Sequence, residues 1–294
     1  MSLFVVLDSQ VTKGLHSMPT DFLNVAGQTI ACTTSPGDGL PALLIHGNSS
    51  SRRTFQRQLE SELGRRHRLI AIDLPGFGDS QPIADPENGL GIQGYGRLVV
   101  KVVEALGLDS VVLVGWSLGG HVALEAVEDI PNCKGVLIYG TPPLAFPPDM
   151  GAAFLPNPAM AAAFNPQLTE AEMRGFVDAF FAPGYSTPDD RFLADIRRSD
   201  GRARAAIAAS IRPGGYKDEV QVVAKLRTPL AVLHGAQEQL VNGAYFASIP
   251  MPTLWRGAVQ EIADAGHAPH WETADVFNTL LADFLADCEM GARR

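Results

Sequence analysis

A serine flanked by two glycines is the feature of this 294-residue chain that points most directly to chemistry. The aliphatic run at residues 111–114 is typical of a buried strand and leads into Gly115-Trp-Ser117-Leu-Gly119. An alanine-rich helical pattern follows from His121 to about Glu128. A strand, a tight turn and a helix in this order predict a nucleophile elbow, with the Ser117 hydroxyl exposed at its tip.

A serine hydroxyl is a weak nucleophile at neutral pH, so it needs a general base and an acid that orients the base. The elbow predicts both later in the chain, the acid after a late strand and the histidine after one more. Glu238 follows the apolar run 230–233, and His267 follows the short run 259–262 in a loop that contains glycine. We therefore predict Ser117 as nucleophile, Glu238 as acid and His267 as base. A solvated surface position is the alternative for Glu238.

Two further residues near His267, His270 and Glu272, have predicted roles outside the triad. His270 is a possible substitute base, although a role at the rim of a pocket or in packing is favoured. Glu272 precedes a helical pattern, and we expect it to cap that helix.

Acyl transfer also needs hydrogen-bond donors for the oxyanion that forms. One predicted donor is the backbone N–H of Leu118, directly after the nucleophile. The other is expected from the loop His46-Gly-Asn-Ser-Ser-Ser51, with the N–H of Asn48 as donor and Gly47 allowing close approach. His46 is expected to brace this loop, and Asp73 to form a turn. The sequence has no metal-binding pattern and no phosphate-binding glycine loop, so we expect metal-free transfer of an acyl group to water without a cofactor.

The elements that must position these residues alternate along the chain. Short apolar runs are each followed by turn residues and a helical pattern, which is typical of a parallel sheet covered by helices on both faces. A hairpin near residues 24–27 is expected to open the sheet. The strand-like runs are 42–45, 69–72, 111–114, 136–139 and 230–233, and the helical patterns are 55–63, 95–106, 121–128 and 273–288.

The alternation stops between residues 141 and 213, where prolines are dense and no strand-like run occurs. Amphipathic helical patterns at residues 170–181 and 191–211 follow. We predict a core formed by residues 1–141 and 214–294, and a helical cap, residues 142–213, that lies over the active site. A surface excursion away from the site is the alternative.

The net charge of −9 argues against nucleic-acid binding, which needs a basic surface, and against stable binding to anionic membranes. Three scattered cysteines suit a reducing compartment rather than a disulfide framework. The sequence shows no signal peptide, and no apolar segment approaches the roughly 18–20 residues of a membrane span. We therefore expect a cytoplasmic protein that acts on a small molecule. The oligomeric state is left open.

These motifs resemble those of the α/β-hydrolase superfamily across nearly the full length of the chain. The matching segments are His46-Gly47, Asp73-Leu-Pro-Gly-Phe-Gly78, the serine elbow, Gly235-x-x-Glu238 and Gly266-His267. The resemblance implies the α/β-hydrolase fold, a mostly parallel central sheet flanked by helices with an inserted helical cap.

A narrower set of segments is similar to the metal-independent N-acyl homoserine lactonases of that fold. The set comprises residues 46–51, 115–121, 140–143, 200–204 and 264–269. This resemblance implies a serine hydrolase that opens the lactone ring through Ser117, His267 and Glu238, with Asn48 and Leu118 as oxyanion donors. A carboxylesterase or C–C bond hydrolase with the same triad is the main alternative. A ligand receptor on this fold without enzymatic activity is a further one.

The fatty acyl chain of such a substrate requires an apolar channel. Aromatic residues at helical spacing are candidates for its lining, although ordinary core packing explains the same pattern. The candidate substrate-binding residues are Gly47, Phe55, Trp116, Phe154, Phe176, Phe180, Phe181 and His270.

Overall fold

The computed structural model describes residues 18–83, 89–186 and 190–291. The central sheet is built from β1 Asp21–Val25, β2 Gln28–Thr34, β3 Gly39–Ile45, β4 His67–Ile72, β5 Val111–Trp116, β6 Cys133–Tyr139, β7 Leu230–Gly235 and β8 Gln260–Ile262. Their spatial order is β1-β2-β4-β3-β5-β6-β7-β8. The β1–β2 and β2–β4 pairs are antiparallel, and all the pairs from β4 to β8 are parallel. The predicted mostly parallel sheet, opened by a hairpin, is confirmed.

Helices connect these strands and cover both faces of the sheet. They are α1 Gln56–Leu59, α2 Glu62–Arg66, α3 Gly91–Ala105, α4 Leu118–Ala126, α5 Met150–Ala153, α6 Glu170–Asp178, α7 Arg191–Arg198, α8 Gly201–Ser210, α9 Glu219–Lys225, α10 Pro269–Glu272 and α11 Ala274–Gly291. Short 3-10 helices occur at Arg52–Phe55, Val127–Asp129, Pro158–Ala163, Gly243–Ser248 and Trp255–Gly257. No helix among the described residues combines the length and apolar character needed to cross a bilayer.

Two of the predicted helices are interrupted. The pattern at residues 55–63 forms α1 and α2, because the Ser61 hydroxyl accepts a hydrogen bond from the N–H of Leu63 at 3.1 Å and starts a new helix. The pattern at residues 191–211 forms α7 and α8, because Asp200 caps α8 by accepting from the N–H of Arg202 at 2.9 Å. A local side-chain cap therefore overrides continuous helical periodicity at both places.

The sheet is apolar on both faces, and each face belongs to a separate core. Successive residues of a strand point to opposite faces. In β3, Leu43 and Ile45 pack in the core that includes α3 and α4. Leu44, between them, packs in the core that includes α11. This arrangement is expected for parallel strands sandwiched between helices.

Helices α5 to α8 lie in the chain between β6 and β7, the segment predicted to form a cap. The boundaries of that cap, residues 142 and 213, remain a prediction. Polar contacts join α7 to the loops after β3 and β4. Asp195 accepts from the Ser51 hydroxyl at 2.5 Å and pairs with Arg53 at 3.4 Å. Arg198 pairs with Asp79 at 2.6 Å.

Asp73 does more than form the turn expected from the sequence. Its fully buried carboxylate forms an ion pair with Arg52 and accepts from the backbone N–H of that residue at 2.6 Å. It also accepts from the N–H of Asp79 at 2.8 Å. One carboxylate thus joins the loops that follow β3 and β4.

The contacts of Asp195 can be tested by measuring stability as a function of pH, because the pKa of its carboxyl is shifted. Burial raises the pKa of its carboxyl to about 6, although the Ser51 hydroxyl and Arg53 favour ionisation. The folded protein therefore binds this proton more tightly than the unfolded chain, whose Asp pKa is about 4. The contribution of Asp195 to stability is largest below that value and is lost as the pH rises through 6.

We expect Asp195→Asn, which cannot ionise, to gain stability relative to the wild type as the pH rises from 4 to 7, by up to about 3 kcal/mol. Urea denaturation at a series of pH values measures this difference, with the exposed Asp264→Asn as the control. Parallel stability curves for Asp195→Asn and wild type would contradict the assignment.

Candidate active site

Ser117 occupies a strained turn between β5 and α4. Its backbone angles are φ 52° and ψ −119°, a conformation that residues with a side chain rarely adopt. The Ser117 N–H donates to the carbonyl of Tyr139 at 2.9 Å, and the Thr141 hydroxyl donates to the Ser117 carbonyl at 2.8 Å. Hydrogen bonds from the end of β6 and the loop after it therefore hold the turn, and the strand, turn and helix occur in the expected order.

Both glycines of the elbow lie where no side chain fits. A Cβ atom on Gly119 would lie 2.0 Å from the carbonyl oxygen of Ile45, the last residue of β3. A Cβ atom on Gly115 would lie 2.4 Å from the carbonyl oxygen of Gly119. These positions allow β3, β5 and the first turn of α4 to approach each other closely.

The predicted acid and base are in direct contact. His267 Nδ1 lies 2.8 Å from Glu238 Oε2, and each side chain is only 3% exposed. Burial opposes ionisation of Glu238, but the charge and hydrogen bond of His267 and the N–H of Leu240 outweigh it and hold the pKa of the carboxyl below its usual value. An ionised Glu238 accepts only, so it fixes the proton of His267 on Nδ1 and leaves Nε2 unprotonated in the neutral ring.

Several groups position the imidazole of His267. The indole Nε1 of Trp116 donates to the His267 carbonyl at 2.8 Å. Phe180 stacks on the ring, with centroids 6.1 Å apart and planes inclined by 25°. A Cβ atom on Gly140 would lie 2.6 Å from the ring. Ser117 and His267 line the same cavity, although no hydrogen bond joins Ser117 Oγ to the ring among the described contacts, as is common before a substrate binds.

The loop after β3 and the start of α4 each bring one backbone N–H group to the same cavity. Asn48 and Leu118 both line it, and within the described chain neither backbone N–H donates to a protein acceptor. The Asn48 side chain is engaged elsewhere, since Nδ2 donates to the Ala163 carbonyl at 2.7 Å and Oδ1 accepts from Ser49 at 3.0 Å. The side chain therefore anchors the loop and leaves its backbone donor unpaired.

His46 braces this loop, as the sequence suggests. Its Nδ1 lies 2.7 Å from the Gly47 carbonyl, and its Nε2 accepts from the N–H of Leu74 at 3.0 Å. Burial lowers the pKa of the ring, which favours the neutral form that these two contacts require. The ring thus connects the loops after β3 and β4 without entering the cavity.

The cavity lies between the two cores and includes about 810 Å³ of empty space with its open mouth. Five of the candidate substrate-binding residues line it: Gly47, Trp116, Phe154, Phe176 and Phe180. Sequence reasoning missed other lining residues, because most of them are aliphatic and such residues are equally typical of a core. Among them are Ile92, His121, Leu144, Met160, Ile207 and Leu240.

Phe55, Phe181 and His270 are not among the residues that line the cavity, so for them the structure supports the packing role that the sequence left open as the alternative. The His270 ring packs behind Trp116, with centroids 4.8 Å apart, and its Nε2 hydrogen-bonds to the Thr54 hydroxyl at 2.6 Å. Phe55 packs against His270 at 5.5 Å. Phe181 packs against Phe192 at 5.1 Å. His270 is therefore a packing residue that supports Trp116, and burial lowers its pKa well below the usual value.

Glu272 does not cap the helix that follows it. Its two carboxylate oxygens accept from the N–H groups of Ala182 at 2.6 Å and Gly266 at 2.8 Å. Burial raises the pKa of this carboxyl. Glu272 therefore joins the loop that carries His267 to the chain after α6. The sequence gives no sign of this, because both partners are backbone groups.

The segment 200–204 connects the predicted cap to the loop after β3. Arg204, 4% exposed, donates to the Asn165 carbonyl at 2.7 Å and to the Ser199 hydroxyl at 2.5 Å. It also reaches the hydroxyl of Ser49 at 3.3 Å. Ser49 in turn donates to Asn48, so this arginine reaches the predicted oxyanion loop.

Within the described ranges, no group of three His, Cys, Asp or Glu side chains is placed to hold a metal ion.

Comparison with known proteins agrees with this geometry. The model of the alpha/beta hydrolase family matches residues 42–280. A solved structure of a variant of the N-acyl homoserine lactonase AidH, complexed with N-hexanoyl homoserine lactone, is 34% identical with a TM-score of 0.87, over 92% of this chain and 98% of that chain.

Two other relatives are more distant. The 2-hydroxymuconate semialdehyde hydrolase of Pseudomonas sp. (strain CF600) is 27% identical over 278 residues, 87% of this chain and 90% of that protein. A putative aryl esterase from Burkholderia cenocepacia, 24% identical with a TM-score of 0.74 over 92% of this chain and all of that chain, shares the fold. With a family match that covers most of its length, this chain belongs to the alpha/beta hydrolase family.

Proposed function

We propose that this protein is a serine hydrolase that opens the lactone ring of N-acyl homoserine lactones. The observation that carries the proposal is that Ser117 and His267 line one largely apolar cavity, with His267 held against the buried carboxylate of Glu238. Similarity to the lactonase AidH along 92% of the chain supports this substrate class. Within the described chain no lysine or arginine lines the cavity, which favours an uncharged substrate.

In the first half of the reaction, Ser117 Oγ attacks the lactone carbonyl carbon and His267 Nε2 accepts the hydroxyl proton. Glu238 stabilises the imidazolium that forms. The backbone N–H groups of Asn48 and Leu118 donate to the oxyanion, a contribution worth about 10²–10³ in rate for one donor. The ring C–O bond then breaks, and His267 returns its proton to the departing alkoxide oxygen.

The second half releases the acyl group from Ser117. The new alcohol stays attached to the acyl group, so ring closure competes with hydrolysis until water reacts. His267 takes a proton from that water, which attacks the ester carbonyl, and then protonates Ser117 Oγ. The product is an N-acyl homoserine, the substrate plus one water.

The walls of the cavity suit the acyl chain. Phe176 and Phe180 pack edge to face at 4.7 Å, and Phe180 packs in the same way on Trp116 at 5.3 Å. These rings present apolar surface beside Ser117 and His267. Burial of each methylene of an acyl chain contributes about 0.8 kcal/mol.

A carboxylesterase or C–C bond hydrolase remains the second candidate. The similarity to 2-hydroxymuconate semialdehyde hydrolase along 87% of the chain favours it. The same serine, histidine and glutamate serve either reaction, so the product identifies the substrate class. A receptor without activity is less favoured, because it would not need a histidine held against a buried carboxylate.

Ser117→Ala removes the nucleophile and leaves the cavity intact. We expect turnover of N-acyl homoserine lactones to fall by about 10⁴–10⁶ while binding is retained. Mass spectrometry of reactions with several acyl chain lengths gives the product: ring opening adds one water, whereas amide cleavage releases homoserine lactone and a fatty acid. The exposed Ser248→Ala is the control. Undiminished turnover by Ser117→Ala would contradict the mechanism.

Glu238→Gln keeps the size of the side chain and removes its charge. Because the imidazolium would then lack its counter-charge, we expect kcat to fall by about 10²–10⁴ with a small change in KM. Steady-state kinetics measures both constants, and the exposed Glu261→Gln is the matched control. A kcat within twofold of the wild type would show that Glu238 is not the orienting acid.

A further inference from the structure

A second histidine–carboxylate pair lies at the cavity, and the proposed mechanism does not use it. His121 stands four residues after Ser117, in the first turns of α4, and lines the same cavity. Its Nδ1 lies 2.8 Å and 2.9 Å from the two carboxylate oxygens of Glu219, the first residue of α9. This pair is separate from His267 and Glu238.

Glu219 is held firmly in place. Its side chain is fully buried, and one carboxylate oxygen also accepts from the N–H of Leu144 at 2.7 Å. The N–H of Glu219 donates to the Leu144 carbonyl at 2.8 Å. Two contacts with one residue fix both the backbone and the side chain, so the carboxylate can orient the imidazole of His121 as Glu238 orients that of His267.

The orientation leaves one nitrogen of His121 for a ligand. A carboxylate that accepts from Nδ1 assigns the proton to that nitrogen, so Nε2 of the neutral ring is a hydrogen-bond acceptor. Nε2 has no hydrogen-bond partner among the described residues, and His121 keeps 9% of its surface exposed.

The neighbouring wall offers little competition for a ligand's N–H group. Leu144 and Ile207 line it with apolar side chains, and the hydroxyl of Tyr216 donates to the Ala145 carbonyl at 2.7 Å. The amide oxygen of Asn48 already accepts from Ser49. His267 Nε2 is required by Ser117 in the proposed mechanism. His121 Nε2 is thus an acceptor with no other role.

We propose that His121 is a specificity-determining residue whose Nε2 accepts the amide N–H of an N-acylated lactone. The inference rests on the proposed function and deepens it. In such a substrate the amide nitrogen is bonded to the carbon next to the lactone carbonyl. His121 lies in the first turn of α4, the helix that begins directly after Ser117, and both residues line the cavity. In this proposal Ser117 attacks the lactone carbonyl, while His121 accepts the neighbouring amide N–H of the same substrate.

The test compares two substrates that differ only at this N–H group. One is N-hexanoyl homoserine lactone, and the other is α-hexanoyloxy-γ-butyrolactone, in which an ester oxygen replaces the amide N–H. The kcat/KM for ring opening of each is measured by mass spectrometry. Differences in intrinsic reactivity cancel when the ratio of the two values is compared between wild type and variant.

His121→Asn is the main variant, because the asparagine amide can still donate to Glu219 but has no atom at the position of Nε2. We expect the preference for the amide substrate to fall by about tenfold or more, mainly through a higher KM for that substrate. Tyr216→Phe, which changes another lining residue, is the control and should keep the wild-type ratio.

A double variant, His121→Leu with Glu219→Leu, guards against a folding defect, since it leaves no buried charge unpaired. It should lose the preference in the same way. Equal loss of activity on both substrates, with the ratio unchanged in either folded variant, would overturn the inference and leave the proposed function standing. If the wild type opens neither lactone but cleaves a p-nitrophenyl ester, the proposed function fails and the inference fails with it.

Discussion

The structure depends on the absence of side chains between the end of β3 and the start of α4. A Cβ atom on Gly119 would lie 2.0 Å from the carbonyl oxygen of Ile45, so any other residue would force the helix away from the strand. This contact sets the distance between the elbow and the loop that begins at His46. Because parallel strands end at one edge of the sheet, the loops after β7 and β8 reach the same place. Ser117, Asn48, Glu238 and His267 meet there for this reason.

Histidines are oriented by the same device at three points around this edge. His46, His121 and His267 each place Nδ1 within 2.9 Å of an oxygen, a backbone carbonyl in the first case and a buried carboxylate in the other two. In its neutral form each ring therefore carries a lone pair on Nε2. The Leu74 N–H occupies that of His46, while the other two remain available at the cavity. The neighbouring oxygen therefore determines which ring nitrogen of each histidine carries the proton and which one can accept a hydrogen bond.

The sequence predicted the features that depend on local patterns. The parallel strands follow from apolar runs, and the elbow follows from two glycines around a serine. The contact of His267 with Glu238 follows from chain order once the elbow is identified. What the sequence could not show depends on contacts between distant segments. A buried phenylalanine that packs against His270, as Phe55 does, has the same sequence pattern as one on the cavity wall.

The sequence also did not predict helix boundaries or the roles of carboxylates correctly. Asp200 interrupts a helical pattern by capping a new helix, which periodicity alone does not reveal. Glu272 was expected to cap the helix that follows it, but its partners are the N–H groups of Ala182 and Gly266. Backbone groups are the same in nearly every residue, so a contact with them cannot be recognised from the sequence of the partner.

Arg204 limits how a protein of this architecture can change its substrate. Its guanidinium contacts the chain before α6, the residue before Asp200 and, through Ser49, the loop that carries Asn48. Helices that shape the cavity and the loop that brings Asn48 to it are therefore parts of one polar network. A segment from a relative that replaced the predicted cap would have to bring matching partners to these contacts. Substrate range in this lineage should consequently evolve by exchange of side chains on the cavity wall more readily than by exchange of the cap as a module.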